Sequence, residues 1–142
     1  MDETGMKSTN MQRLFMAYDL TTTPVFIKDE HLILIYTNQS YAELLCIDPR
    51  KVINTDGSSI YTPDSLAKSK EMDRMILESD QDYSCHIRIK RKKKGDYKAV
   101  LTKRRIEIAG DIYIRGIITC HEALALSDAA ADWNAEQAQW TV

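Results

Sequence analysis

The chain has 142 residues, 44% of them hydrophobic and 28% charged, which is enough to bury one core and too short to hold a second, catalytic domain beside it. Lys and Arg total 19 against 21 for Asp and Glu, and a net charge of -2 excludes nucleic acid or an anionic membrane as the partner expected from charge alone. No apolar run reaches the ~18 residues of a spanning helix and the N-terminus lacks the charged-then-apolar order of a signal peptide, so a soluble cytoplasmic protein is expected.

Residues 1–10 are small and polar without a period, and read as a loose end. Met11, Leu14, Phe15 and Tyr18 then fall at i, i+3, i+4 and i+7, one face of a helix that the threonines before Pro24 terminate. The segment PVFIKDEHLILIYTN, residues 24–38, reads as a hairpin turning at Lys28-Asp29-Glu30-His31. Its last residue, Asn38, is an N-cap for a helix that buries Tyr41, Leu44 and Leu45. Asp48 followed by Pro49 caps a short helical turn, and residues 54–59 are loop. Thr62-Pro63 repeats the device ahead of a helix to about Ser79, with Leu66, Met72, Met75, Ile76 and Leu77 on its inner side.

The period then changes to two. Tyr83, Cys85, Ile87 and Ile89 alternate with Ser84, His86, Arg88 and Lys90, a strand with one buried face. Lys93-Lys94-Gly95-Asp96 turns into a strand from Tyr97 to about Ile108, Ala109-Gly110-Asp111 turns again, and Ile112 to Cys120 closes the sheet with Gly116 inside it. Five strands, with helices inserted between the second and third, make an antiparallel α+β domain. Residues 1–21 form an N-terminal tail and flanking helix, residues 22–120 the domain, and residues 121–142 a C-terminal linker or signalling helix.

Over residues 22–120 this order resembles a PAS domain, the small sensory fold of bacterial and eukaryotic signalling proteins. The resemblance rests on the opening PVFIKDEHLILIYTN, the helix after Asn38, the Val52-Ile53-Asn54-Thr55-Asp56 step, TPDSLAKSKEMDRMILES and the closing TKRRIEIAGDIYIRGIIT. It implies a five-stranded antiparallel sheet with helices on one face, often around a small ligand cavity, and flanking helices that make a dimer and carry the signal outward. The expected function is a sensory or protein-interaction module that regulates an effector in cis or in trans: a transcription regulator, a histidine kinase or a cyclic-dinucleotide enzyme. Many signalling relatives end the last strand in Asp-Ile-Thr, where this chain has Thr119-Cys120-His121-Glu122, so His121 or Glu122 would have to supply the contact to the outgoing linker.

Relatives that hold haem do so through a histidine on the helix before the third strand, and residues 63–79 contain none. His31 falls in a turn, His86 on an outward strand position and His121 at the domain exit, so no haem is expected. No cysteine stands where the light-sensing relatives attach flavin, so no covalent flavin is expected either. Cys46, Cys85 and Cys120 are odd in number, widely spaced and set in apolar patterns, which fits buried thiols and neither a disulfide framework nor a zinc site. Between Arg88 and Arg105 ten residues are basic and one, Asp96, is acidic; the densest part, Arg88 to Lys94, has no interleaved aromatic side chain and fits a solvated hairpin or a patch for an acidic partner better than a nucleic-acid site.

By alternation and helical phase, Phe26, Tyr36, Tyr41, Met72, Met75, Ile87, Leu101 and Ile114 point inward, with Cys85 and Thr102 as polar handles. They either fill a solid core or line a cavity for a small, mainly apolar ligand, the alternative reading of function. No catalytic set is evident and no enzyme is expected. A ketosteroid-isomerase-like use of an acid would need Asp56 or Asp73 buried, whereas Asp73 is expected to face water and Asp56 to cap its own loop. Leu126, Ala130, Trp133, Gln137 and Trp140 recur at coiled-coil spacing. That segment folds back on the sheet, pairs with a second copy or forms a frayed tail, and the helix with Met11, Leu14, Phe15 and Tyr18 joins the same homodimer interface.

Overall fold

The computed structural model describes residues 3–89, 96–123 and 140–141, with side chains for residues 9–89 and 96–119. Helix α1 (Glu3–Asp19) leads into β1 (Val25–Asp29) and β2 (Leu34–Thr37), followed by α2 (Gln39–Leu45), α3 (Pro49–Val52) and α4 (Pro63–Ser79). Strands β3 (Tyr83–Ile89), β4 (Tyr97–Ile108) and β5 (Asp111–Ala123) follow, and β6 (Trp140–Thr141) comes last. The sheet order is β2-β1-β5-β4-β3-β6. The first five strands are antiparallel, as expected, and β6 pairs parallel to β3 at Ile87 and Arg88.

Each expected cap is present. The Asn38 side chain accepts from the Tyr41 amide, Asp48 from Arg50 and Thr62 from Ser65, with Pro49 and Pro63 at the first helical turns. At the other end of α4, Arg105 donates to the Leu77 carbonyl at 3.0 Å and pairs with Asp80 at 3.3 Å. The β4–β5 hairpin turns on Ala109 and Gly110, both at positive φ (51° and 87°), which matches the twist of the strands it joins.

Helices α2, α3 and α4 cover the inner face of the sheet. There Tyr41, Leu44, Leu45, Val52 and Tyr61 pack on Phe26, Cys85, Ile87, Ile89, Leu101 and Ile118. Leu32, Ile76 and Ile114 form a smaller cluster beside them, and Met72 touches both. Helix α1 lies on the opposite face, where Met11, Leu14, Phe15 and Tyr18 pack on Ile27, Tyr36, Ile108 and Tyr113.

Several expectations need correction. Helix α1 begins at Glu3, so most of the expected loose end is helical, propagated from the docked half. Lys28 is not in the turn but buried in β1, and the turn is closed by Asp29, whose carboxylate accepts from the His31 and Ile33 amides. Met75 is 46% exposed, because the inner stripe of α4 runs through Ser65, Ser69, Asp73 and Ile76 instead. Cys46 is exposed: it ends α2 in the left-handed conformation (φ 56°) and so leaves the buried face of that helix.

Tyr36 faces outward. The register of β1 on β2 shifts between Ile27 and Lys28, leaving Ile35 as the extra residue of a bulge and ending the simple alternation. The Tyr36 ring stacks on Phe15 with centroids 4.2 Å apart, and its hydroxyl donates to Asp19. Thr102 also lies on the outer side, its hydroxyl 2.9 Å from that of Ser84. Trp140 sits in a strand and not on a helical seam, since the edge of β3 offers it unpaired backbone groups. Leu126, Ala130, Trp133, Gln137 and the basic residues 90–94 lie outside the described residues, as do the side chains of Cys120, His121 and Glu122.

Candidate functional site

Two charged strand residues and one helix residue meet where the sequence pattern favours apolar side chains. Lys28 extends from β1 and Lys103 from β4, each in phase with inward neighbours on its strand, and both reach under α4. Lys28 Nζ lies 2.9 Å from Asp73 Oδ2, and Lys103 Nζ lies 2.7 Å from Oδ1. Ser69, one helical turn before Asp73, accepts from Lys103 at 2.8 Å and stands 3.5 Å from Lys28. All four residues are at most 2% exposed. The rings of Phe26 and Tyr61 lie 5.7 and 5.6 Å from Lys28 Nζ, close enough for cation–π attraction.

The Phe26 ring is placed by what β5 lacks. Gly116 pairs with Phe26 on one side and with Lys103 on the other. A Cβ at Gly116 would stand 2.1 Å from the Phe26 ring, so glycine leaves the space that lets the ring lie flat across the inner face.

Two ammoniums against one carboxylate leave an excess positive charge in the core. Burial pushes Asp73 up, but the charges of Lys103 and Lys28 outweigh it and hold the carboxyl below its ordinary range. Burial pulls Lys28 down, but its neighbours Tyr61 and Asp73 more than offset this and raise it. Burial and the nearby Lys28 charge lower Lys103 from 10.5 to about 8. Folded Lys103 therefore sheds its proton at a pH where the unfolded chain keeps it. The cost of the charged form is in full force below pH 8 and is relieved as pH rises from about 8 towards 10.5. Lys103→Met, compared with the parent by urea denaturation, should lose about 2 kcal/mol of its relative stability between pH 7 and pH 9.5. A difference that stays flat across that range would place the Lys103 proton outside it.

A second polar centre joins α1 to the domain. Asn38 is 1% exposed and binds four backbone groups through one side chain. Its Oδ1 accepts from the Val25 and Tyr41 amides, both at 3.0 Å, and its Nδ2 donates to the carbonyls of Tyr18 (3.1 Å) and Thr23 (2.8 Å). The end of α1, the linker, β1 and α2 thus share one amide group. Replacing Asn38 by Ala should cost about 2–4 kcal/mol in urea denaturation, with Ser recovering only the cap contribution. Equal losses for Ala and Ser would mean that the cap contributes nothing separable.

Of the residues expected to line a cavity, Phe26, Tyr41, Cys85, Ile87 and Leu101 meet in the main inner cluster; Met72 bridges it to the smaller one, which holds Ile114. Tyr36, Met75 and Thr102 do not join them. Asp73 is fully buried and not in water, which corrects its expected position. Asp56 caps its loop as expected, accepting from the Ser58 amide, and its ion pair with Lys70 helps hold it at about 2. Lys28, Ser69 and Lys103 were not among the expected site residues. Their inward phase was the available signal, in the i, i+4 steps Ser65–Ser69–Asp73 and the alternation Ala99–Leu101–Lys103. Among the described residues no group of His, Cys, Asp and Glu is arranged to hold a metal ion, and no helix is long and apolar enough to cross a membrane.

Five antiparallel strands with α2, α3 and α4 inserted after the second strand and laid over the inner face set the class of fold. The chain is similar in structure to the PAS domain of Bordetella pertussis BvgS, with a TM-score of 0.68, 10% identity and coverage of 84% of this chain and 90% of that one. It is similar also to the Rhodobacter sphaeroides LOV protein (TM-score 0.63, 13% identity, 84% and 70% covered). A third similar structure is the PAS domain of an HTR-like protein from Haloarcula marismortui (TM-score 0.58, 13% identity, 82% and 99% covered). No family model matches the chain, and no curated protein matches it in sequence. The chain has the PAS fold.

Proposed function

We propose that this chain is a cytoplasmic sensory or protein-interaction module of a signalling system, that it pairs with a second copy through its flanking helices, and that it regulates an effector in cis or in trans. The observation that carries this reading is α1. One face of the helix is taken by its own sheet and its end is tied to the core through Asn38, while Met16 in the helix and Leu20 in the turn just past its end stand 67% and 89% exposed. Such a helix is coupled inward and still offers apolar surface outward. The face with Met11, Leu14, Phe15 and Tyr18, expected at the dimer interface, is occupied within the chain, so the pairing surface moves to the other side of α1. Similar structures include a PAS domain from a two-component sensor histidine kinase, which supports regulation of a kinase as the output, and the PAS-B domain of Drosophila melanogaster Cycle.

No catalytic role is proposed. Asp73 is clamped as a carboxylate between two ammoniums, where it can neither donate a proton nor accept one readily. The alternative, a small apolar ligand in the core, is the weaker reading, because Lys28, Asp73 and Lys103 place charge on the inner wall. No haem or flavin ligand is proposed.

Light scattering coupled to size exclusion tests the pairing, using the full chain, Met16→Lys/Leu20→Lys and Trp133→Ala/Trp140→Ala. A dimer that dissociates in the first double variant supports α1 as the interface. A monomeric parent, or a dimer lost only in the second variant, overturns it.

A further inference from the structure

On the outer face of the sheet one cation has no counter-charge among the described residues. Arg115 projects from β5 beneath α1, and its Nη1 donates to the Tyr18 hydroxyl at 3.1 Å. Its Nε is buried without a hydrogen-bond acceptor, and no carboxylate pairs with the guanidinium among the described residues. An unsatisfied charged donor of this kind is costly and rare in a folded interior. Arg115 is also part of the wall of a cavity of about 330 Å³ between α1 and the β4–β5 hairpin, with Leu14, Tyr18, Ile106 and Ile108 as further walls and Glu107 among its lining. That volume is at the small end of the range for ligand sites.

We propose that this groove binds a small organic carboxylate, its apolar body against Leu14, Ile106 and Ile108 and its carboxylate on Arg115. A guanidinium presents paired donors to a carboxylate. Nη1 of Arg115 is taken by Tyr18, and its Nε, covered by the protein in the free chain, has no acceptor among the described residues, so a carboxylate engages it as the side chain turns into the groove. The apolar wall favours a ligand with an apolar body over a bare inorganic anion, which would lose hydration there and gain no contact. The site lies across the sheet from Lys28, Asp73 and Lys103, and it stands or falls independently of the signalling role proposed above.

Hexanoate is the probe, with hexanamide as its neutral near-isostere and inorganic phosphate as the anion without an apolar body. Backbone amide shifts of the full chain at Leu14, Tyr18, Ile106, Ile108 and Arg115 are expected to saturate with hexanoate at a Kd of about 1 mM or tighter, and to weaken about tenfold or more with hexanamide. Arg115→Gln should weaken hexanoate by a similar factor, and Ile106→Trp, which fills the groove and leaves Arg115 in place, should abolish binding. Absence of saturable shifts at these amides overturns the proposal. So does equal binding of hexanamide or of phosphate, hexanoate binding that survives Ile106→Trp, or saturating shifts confined to residues under α4.

Discussion

Asp73→Asn is expected to remove about 3–5 kcal/mol of unfolding free energy, close to the whole stability of a marginal domain of about 5–15 kcal/mol. The substitution keeps the shape of the side chain and deletes its charge, which leaves Lys28 and Lys103 facing each other with only Ser69 between them. Neither ammonium has a route to water, since both are at most 2% exposed. The loss should be smaller in Asp73→Asn/Lys103→Met, where a single cation remains beside the Phe26 and Tyr61 rings. Replacing all three, as Lys28→Met/Asp73→Leu/Lys103→Met, should restore stability to that of the parent or raise it by about 1–4 kcal/mol, because apolar side chains of similar volume need no desolvation. Urea midpoints of the four proteins decide the matter. A loss below about 1 kcal/mol for Asp73→Asn alone would show that water or a proton shift relieves the lysines.

Gly116→Ala carries the second large effect, expected at about 3 kcal/mol or more, the upper end of what overpacking costs. A methyl group in van der Waals contact would be tolerated, but here the new carbon falls 2.1 Å from two atoms of the Phe26 ring and 2.7 Å from a third. The ring cannot simply rotate away, since Tyr41 sits against it with centroids 5.3 Å apart and Lys28 lies at 5.7 Å on the inner face. Phe26→Leu in the same chain should recover part of the loss. The check is a double-mutant cycle in which the two substitutions together cost clearly less than the sum of the two singles. Strict additivity would mean that strand β5 shifts as a whole and that the ring contact is not what fails.

Much of the fold was legible in the sequence because its signals are local. The caps at Asn38, Asp48 and Thr62 act within three residues of themselves, and the alternation of β3 is carried by seven consecutive residues. Even the glycine in the last strand could be singled out, though not the ring that needs it. The charged core was not legible. Lys28, Asp73 and Lys103 are separated by 45 and 30 residues, so each on its own, Asp73 included, reads as a solvated charge. A hydrophobic period scores such residues as outward even when their phase is inward, and the same bias favoured Met75 over the serine stripe. Tyr36 was lost to a bulge, a single-residue insertion in pairing that the order of apolar residues along β2 does not reveal. Likewise, nothing in the spacing of Met11, Leu14, Phe15 and Tyr18 distinguishes a helix laid on its own sheet from one laid on a partner.

The ion cluster under α4 also decides where that helix can lie. A purely apolar stripe would let α4 slide by one turn, about 5.4 Å, and find similar contacts in the next position. Here a slide of that size moves Asp73 off both amines and leaves three buried charges without partners. The penalty falls on misaligned arrangements and not on the native one, so the cluster works as a key that fits one seating of helix on sheet. The inner wall of the domain is thereby held to a single alignment by three charges contributed from two strands and one helix.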